Sequence, residues 1–248
     1  MVPWYNARMA YKFIFLDTET TGNEPEKDRL AQVSFEVDDK MYTGMFKPPL
    51  PISIKSMSIT HITNKMVEDA PQFQGSDLYN QLKELLADHI FVAHNALFDK
   101  AIIEAEGLVV PQFICTMRVA RYLDKDAIIP EYNLQFLRYY LDLDVKDAIA
   151  HDATGDVKVL RALFDRLFAK MKEETGDEDT AVSEMLRVSI EPSLLKKFTF
   201  GKYRGEHIED IATKDAGYLE WLWKQKESDG IDPMVDDMMF TIKKHLGK

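Results

Sequence analysis

The stretch FIFLDTETTG, Phe13 to Gly22, constrains this chain more than any other. Four apolar residues lead straight into two acids one residue apart. An apolar run bounded by turn-forming residues reads as a strand buried on both faces. Charge is expensive at the end of such a strand unless something offsets it. Residues i and i+2 of a strand point to the same side, so Asp17 and Glu19 aim two carboxylates at one spot. Without a counter-charge they repel, and one takes up a proton. A divalent cation removes the conflict, and hard oxygen ligands suit Mg²⁺ or Mn²⁺. The plainer alternative is a pair of acids solvated at a strand end.

The remaining pattern supplies the frame around that strand. Leu30–Val37 and Met41–Phe46 read as the next two strands, a hairpin turning at Asp38 and Asp39. A loop punctuated by Pro48, Pro49 and Pro51 follows, then a short helix over Asn64–Ala70. Asp77–His89 is a helix capped by Ser76, with Leu78, Leu82 and Leu85 at helical spacing. Ile90–Val92 is a strand, Phe98–Glu106 a helix closed by Gly107, and Phe113–Thr116 a fifth strand. Leu134–Leu141 reads as helical, and Val157, Leu160, Phe164, Leu167 and Met171 line one face of a long helix. Strands first, then alternating helices and strands, predict an α/β domain with a mixed central sheet flanked by helices. The acidic KEETGDEDT, Lys172–Thr180, reads as a linker. The expected organisation is an extension over 1–11, the main domain over 12–171, a linker over 172–180 and a small C-terminal α+β domain over 181–248.

Composition then narrows the function. The chain has 248 residues, 46% of them hydrophobic, which is enough for a proper core. Its net charge of -11 argues against a protein that coats nucleic acid, so any nucleic-acid reading needs local cations or metal ions. No apolar run approaches the roughly 20 residues of a membrane span, and the first residues lack a signal-peptide core. Cys115 is the single cysteine, which fits a reducing cytoplasm.

Two later stretches bring further acids. AHNALFDK contains His94, Asn95 and Asp99, with Asp99 early in a helix that follows a short strand. HDATGDVKVL contains His151, Asp152 and Asp156 at the start of the long helix. Each has a bland alternative: Asp156 suits a helix N-terminus, and His94 suits a hydrogen-bonded core position. Taken together, DxE, HNxxFD and HxAxxD in this order resemble the DEDDh exonucleases, the proofreading branch of the ribonuclease H-like superfamily. The resemblance covers about residues 12–171 and includes ITHIT, Ile59–Thr63. It implies that Asp17, Glu19, Asp99 and Asp156 hold two divalent cations, Mg²⁺ or Mn²⁺, and that His151 is the general base. It implies contacts from Thr20, His61 and Phe98 to the terminal nucleotide, with His94 and Asn95 ordering the loop that carries Asp99. One departure is Ile62, where the family often has glycine after the substrate-side histidine.

The C-terminal stretch KKFTFGKYRGEHIEDIA sets Lys196, Lys197, Lys202 and Arg204 among Phe198, Phe200 and Tyr203. Cations for phosphates and rings for bases suit a nucleic-acid contact, with Lys202 and Arg204 as candidates. The alternative is that the aromatics, with the GYLEWLW helix, form this segment's own core. FTFGKYRG followed by GYLEWL is similar to the tails of the exodeoxyribonuclease X branch of the family. The resemblance as a whole implies a metal-dependent 3′→5′ exodeoxyribonuclease that releases 5′ mononucleotides from single strands or duplex ends, in DNA repair or end trimming. RNA is the alternative substrate of the same fold, since discrimination turns on the 2′-OH. A rival from another class is a proofreading-type subunit that docks a polymerase or helicase through its C-terminal domain. A homodimer is among the arrangements that related enzymes adopt.

Overall fold

The computed structural model describes residues 11–146 and 153–248. Five strands form one mixed sheet in the order β3-β2-β1-β4-β5. The strands are β1 Phe13–Thr20, β2 Leu30–Val37, β3 Lys40–Met45, β4 Ile90–Ala93 and β5 Phe113–Cys115. β1 is central, antiparallel to β2 and parallel to β4. Its position follows from its composition: Phe13, Ile14, Phe15 and Leu16 are all buried, on both faces. β1 extends four residues past the apolar run and carries the two acids inside the strand. The ladder to β2 shifts register between Glu19 and Thr20, a bulge that bends the strand where the acids stand. β2 and β3 turn at Asp38 and Asp39, with φ of 49° and 60°. Aspartate tolerates that left-handed pair, which matches the twist of a two-residue hairpin.

Ten helices are among the described residues. α1 Ile54–Thr60, α2 Asp77–Leu86, α3 Ala96–Ala105, α4 Thr116–Leu123 and α5 Leu134–Tyr140 precede the long α6, Ala153–Thr175. α7 Glu178–Ile190, α8 Ile208–Lys214, α9 Ala216–Ser228 and α10 Asp237–Leu246 complete the chain. Ser76 caps α2 as expected, accepting from the Tyr79 amide. The helix expected over Asn64–Ala70 is instead a run of turns. Its amides bond three residues back, at Met66, Glu68 and Ala70, so no helical ladder starts. Asn64 also spends its side chain on the Ile52 backbone, accepting at 2.8 Å and donating at 3.1 Å. The helix of this region is α1, capped by Ser53. It is short and mostly exposed, so no hydrophobic period announces it.

The chain divides into two compact units. The first takes the described residues up to Ala93, Phe98–Phe113 and the start of α6 to Val157. The second takes His94–Leu97, the described residues from Ile114, and Lys158–Lys248. Lys172–Thr180 is occupied by the end of α6, the turn at Gly176 and Asp177, and the start of α7, which Asp177 caps. Gly176 takes φ of 92°, which a residue with a Cβ adopts only with strain.

The C-terminal helices pack around Phe198, Tyr203, Leu219, Leu222, Trp223 and Ile242. So Phe198 and Tyr203 of the C-terminal stretch join a local core, while Phe200 stays exposed. Tyr218 is its hub, meeting Phe198 and Tyr203 edge-on at 5.7 and 5.0 Å. Where a small α+β domain was expected, the region is helical, with one β-bridge between Lys197 and His207.

Candidate active site

The end of β1 and the first turn of α6 meet within the first unit. Ser34 on β2 and Thr154 on α6 bring their hydroxyls to 3.4 Å, beside the acids. Ligand oxygens of Asp17, Glu19 and Asp156 all lie within 4.8 Å of one another. Asp156 is buried and the two strand acids are half-buried. At that separation and an effective dielectric of about 20, each pair of ionised carboxylates repels by about 3 kcal/mol. A divalent cation among the three would offset that repulsion. The donor set is all carboxylate oxygen, which fits Mg²⁺ or Mn²⁺ and does not fit a soft, thiolate-seeking metal.

Asp99 lies outside that 4.8 Å group. It sits in the first turn of α3, almost fully buried. Its Oδ1 accepts the Thr18 hydroxyl at 2.7 Å and the Thr18 amide at 3.1 Å. Burial pushes its carboxyl up to about 7, against the pull of those two bonds. Thr18 stands between the two strand acids in DTET and its side chain, by alternation, faces the other way. It holds Asp99 against β1, a positioning role the sequence reading missed. The alternation of the strand turns Thr18 away from the acids, but no local signal names Asp99 as its partner.

The polar loop after β1 is braced locally. Thr20 is buried, its hydroxyl donates to the Gly22 carbonyl, and its own carbonyl accepts from Ser56. Thr21 donates to Asp28 at 2.8 Å, and a Cβ on Gly22 would collide with that same carboxylate. His61 is exposed and ends α1 with φ of 59°. Ile62 is buried with Ala31, Ile52 and Val67. Thus the left-handed turn falls on the histidine itself, and the following position is free to carry a core residue. Phe98 is half-buried on α3, next to Asp99. His151, the expected general base, and Asp152 lie outside the described residues.

His94 belongs to the second unit. Its Nε2 donates to the Tyr132 carbonyl at 2.7 Å, so its Nδ1 accepts from the Thr116 hydroxyl at 2.9 Å. Burial, with a smaller push from Arg121, lowers its pKa to about 4. The folded state therefore binds this proton more weakly than the unfolded chain, whose histidine titrates near about 6.5. Its contribution to stability is complete above about pH 6.5 and is lost as pH falls towards about 4, with a ceiling of about 3 kcal/mol. Chemical denaturation between neutral and acid pH measures this: wild type is expected to lose more stability on acidification than His94→Gln.

Of the C-terminal candidates, Lys202 pairs with Asp215 at 3.3 Å and lies 4.6 Å over the Tyr203 ring. Arg204 pairs with Glu131. Both are in the second unit.

Comparison with known proteins covers both parts of the chain. A family model described as Exonuclease matches residues 14–164, and one described as Exodeoxyribonuclease X-like C-terminal matches residues 198–227. Exodeoxyribonuclease 10 of Escherichia coli K12 is 30% identical over 237 residues, 93% of this chain and 97% of that protein. DNA polymerase III subunit epsilon of Treponema pallidum is 29% identical, over 66% of this chain and 80% of that one. Among solved structures, Exonuclease X in complex with 5′ overhanging duplex DNA superposes with a TM-score of 0.54 at 25% identity. That match covers 71% of this chain and 99% of the other. No helix among the described residues is long and apolar enough to cross a membrane.

Proposed function

The chain belongs to the exonuclease family, and on that premise we propose that it is a metal-dependent 3′→5′ exodeoxyribonuclease releasing 5′ mononucleotides. The observation that carries the chemistry is the convergence of Asp17, Glu19 and Asp156 within 4.8 Å. The choice of DNA is supported by its likeness to Exodeoxyribonuclease 10 along nearly the whole of both chains. Asp17, Glu19, Asp99 and Asp156 would hold two divalent cations. When bound, these supply Lewis acidity at the scissile phosphate.

The remaining roles fall to side chains. His151 takes the proton from the attacking water as its oxygen bonds to phosphorus and the bond to the 3′ oxygen breaks. An unperturbed pKa of about 6.5 leaves a histidine mostly neutral near pH 7, ready for that transfer. Solvent protonates the departing 3′ oxygen, leaving a strand one nucleotide shorter and a 5′ monophosphate. Thr18 keeps Asp99 fixed on β1. Phe98 and His61 meet the terminal nucleotide, and Thr20 shapes the backbone beneath it. Repair or end trimming is the setting that suits a free-standing enzyme of this kind.

Digestion of end-labelled oligonucleotides tests the reading. A ladder shortening from the 3′ end is expected with Mg²⁺ or Mn²⁺ and none with chelator. Loss of nucleotides from the 5′ end, or hydrolysis indifferent to chelator, overturns it. A matched RNA strand is expected to be degraded more slowly, and equal or faster RNA turnover reassigns the substrate.

A further inference from the structure

The second unit contains a cavity of about 330 Å³ between the loop after α4 and the segment that enters the Lys197–His207 bridge. This is at the small end of the roughly 300–1,000 Å³ of ligand pockets, the size for a short piece of an extended molecule. Its apolar lining includes Ile128, Pro130, Leu194 and Phe198. Ile128 and Leu194 expose 65% and 58% of their surface, so its lips are greasy. Four cations line it, Arg121, Lys196, Lys197 and Arg204, against two acids, Asp124 and Glu131.

The acids are already engaged. Asp124 accepts the Ile128 and Ile129 amides at 3.0 and 2.8 Å and the Tyr132 hydroxyl at 2.7 Å, closing its own loop. Glu131 accepts from Arg204 and from Asn133. Lys197 reaches across to the Ala127 carbonyl at 2.8 Å and ties the two walls together. Arg121 is bound to Asp237. Lys196 is exposed at the rim. In a chain of net charge -11, a cleft with cations in excess is complementary to a polyanion.

We propose that this cleft binds a stretch of the DNA strand under degradation, Lys196 and Arg204 taking phosphates and the Ile128 and Leu194 lips packing against bases. Cations along a groove with apolar surface for bases is the chemistry of sequence-tolerant single-strand binding. An acidic peptide is the competing occupant. Docking by strand addition needs a free strand edge, and the β pairing at this cleft is the single Lys197–His207 bridge. Lys202 does not line the cleft; it pairs with Asp215 and lies over the Tyr203 ring. The proposal rests on the deoxyribonuclease reading above and extends it to a second contact with the strand.

Fluorescence anisotropy of the full chain in chelator, with labelled single strands of about 20 and about 4 nucleotides, tests it. The double variant Lys196→Ala, Arg204→Ala is expected to bind the long strand about tenfold more weakly. Its salt slope should be shallower by about 1.4, or about 0.7 for each phosphate contact. The short strand should lose much less. Glu131→Gln, which frees Arg204, is expected to act in the opposite direction, tightening the long strand and steepening its slope. That opposite sign separates the cleft from a folding defect. Unchanged binding by the double variant, equal losses on both strand lengths, or no tightening by Glu131→Gln overturns the proposal. So does a poly-glutamate peptide that binds more tightly than the strand and is lost in the double variant. Hydrolysis of both strands in Mg²⁺ is read separately. A wild type that binds but does not degrade DNA removes the exonuclease reading and not the cleft.

Discussion

Asp17→Ala and Asp156→Asn are each expected to reduce hydrolysis by about 10³-fold or more. A cation acting as a Lewis acid contributes several kcal/mol to the transition state, and about 1.36 kcal/mol is a factor of ten. Asp156→Asn is the sharper of the two, because it keeps the side chain's shape in a buried position and removes only its charge. The check is an end-labelled digest at saturating Mg²⁺, with thermal unfolding measured in Mn²⁺ and in chelator. The rise in unfolding temperature that Mn²⁺ gives the wild type should disappear in both variants, while the chelated proteins still unfold cooperatively. Retention of a tenth of wild-type turnover by either variant would remove that acid from the site.

His151→Ala is expected to cut turnover by about 10²–10⁴, the usual worth of general-base help. Unlike the acid variants it should keep its Mn²⁺-dependent gain in unfolding temperature, since a base need not be a ligand. The pH–rate profile adds a second readout. Wild type should lose activity as pH falls through the histidine's pKa, and the variant's residual rate should lack that limb. A variant with nearly full activity, or one that has lost the Mn²⁺ response, assigns His151 a different role.

Much of the site is visible in the amino-acid sequence, because its signals are local. FIFLDTET states a buried strand and its two acids in eight residues, and the strand's alternation places both on one face. Asp156 is readable from its place before the apolar period of α6. What is not legible depends on contacts far apart in the chain. Nothing near Thr18 or Asp99 tells that they bond across 81 positions. Equally, α1 carries no apolar stripe, and Asn64 diverts a helix-like stretch into turns through its bonds to Ile52. The aromatic C-terminal stretch was open between a core and a contact surface. Tyr218, Phe198 and Tyr203 turn out to pack together, while Lys202 and Arg204 pair with Asp215 and Glu131.

β1 works on both sides at once, with carboxylates to one side and the Thr18 hydroxyl to the other. Its useful order is a two-beat rhythm that tolerates no odd count. One extra residue spliced in after Leu16 would exchange the sides to which the Thr18 hydroxyl and the two acids point. Two extra residues would bring each group back to its own side. Insertional tolerance in this strand should thus follow parity before size, a rule that a small set of one- and two-residue duplications would reveal.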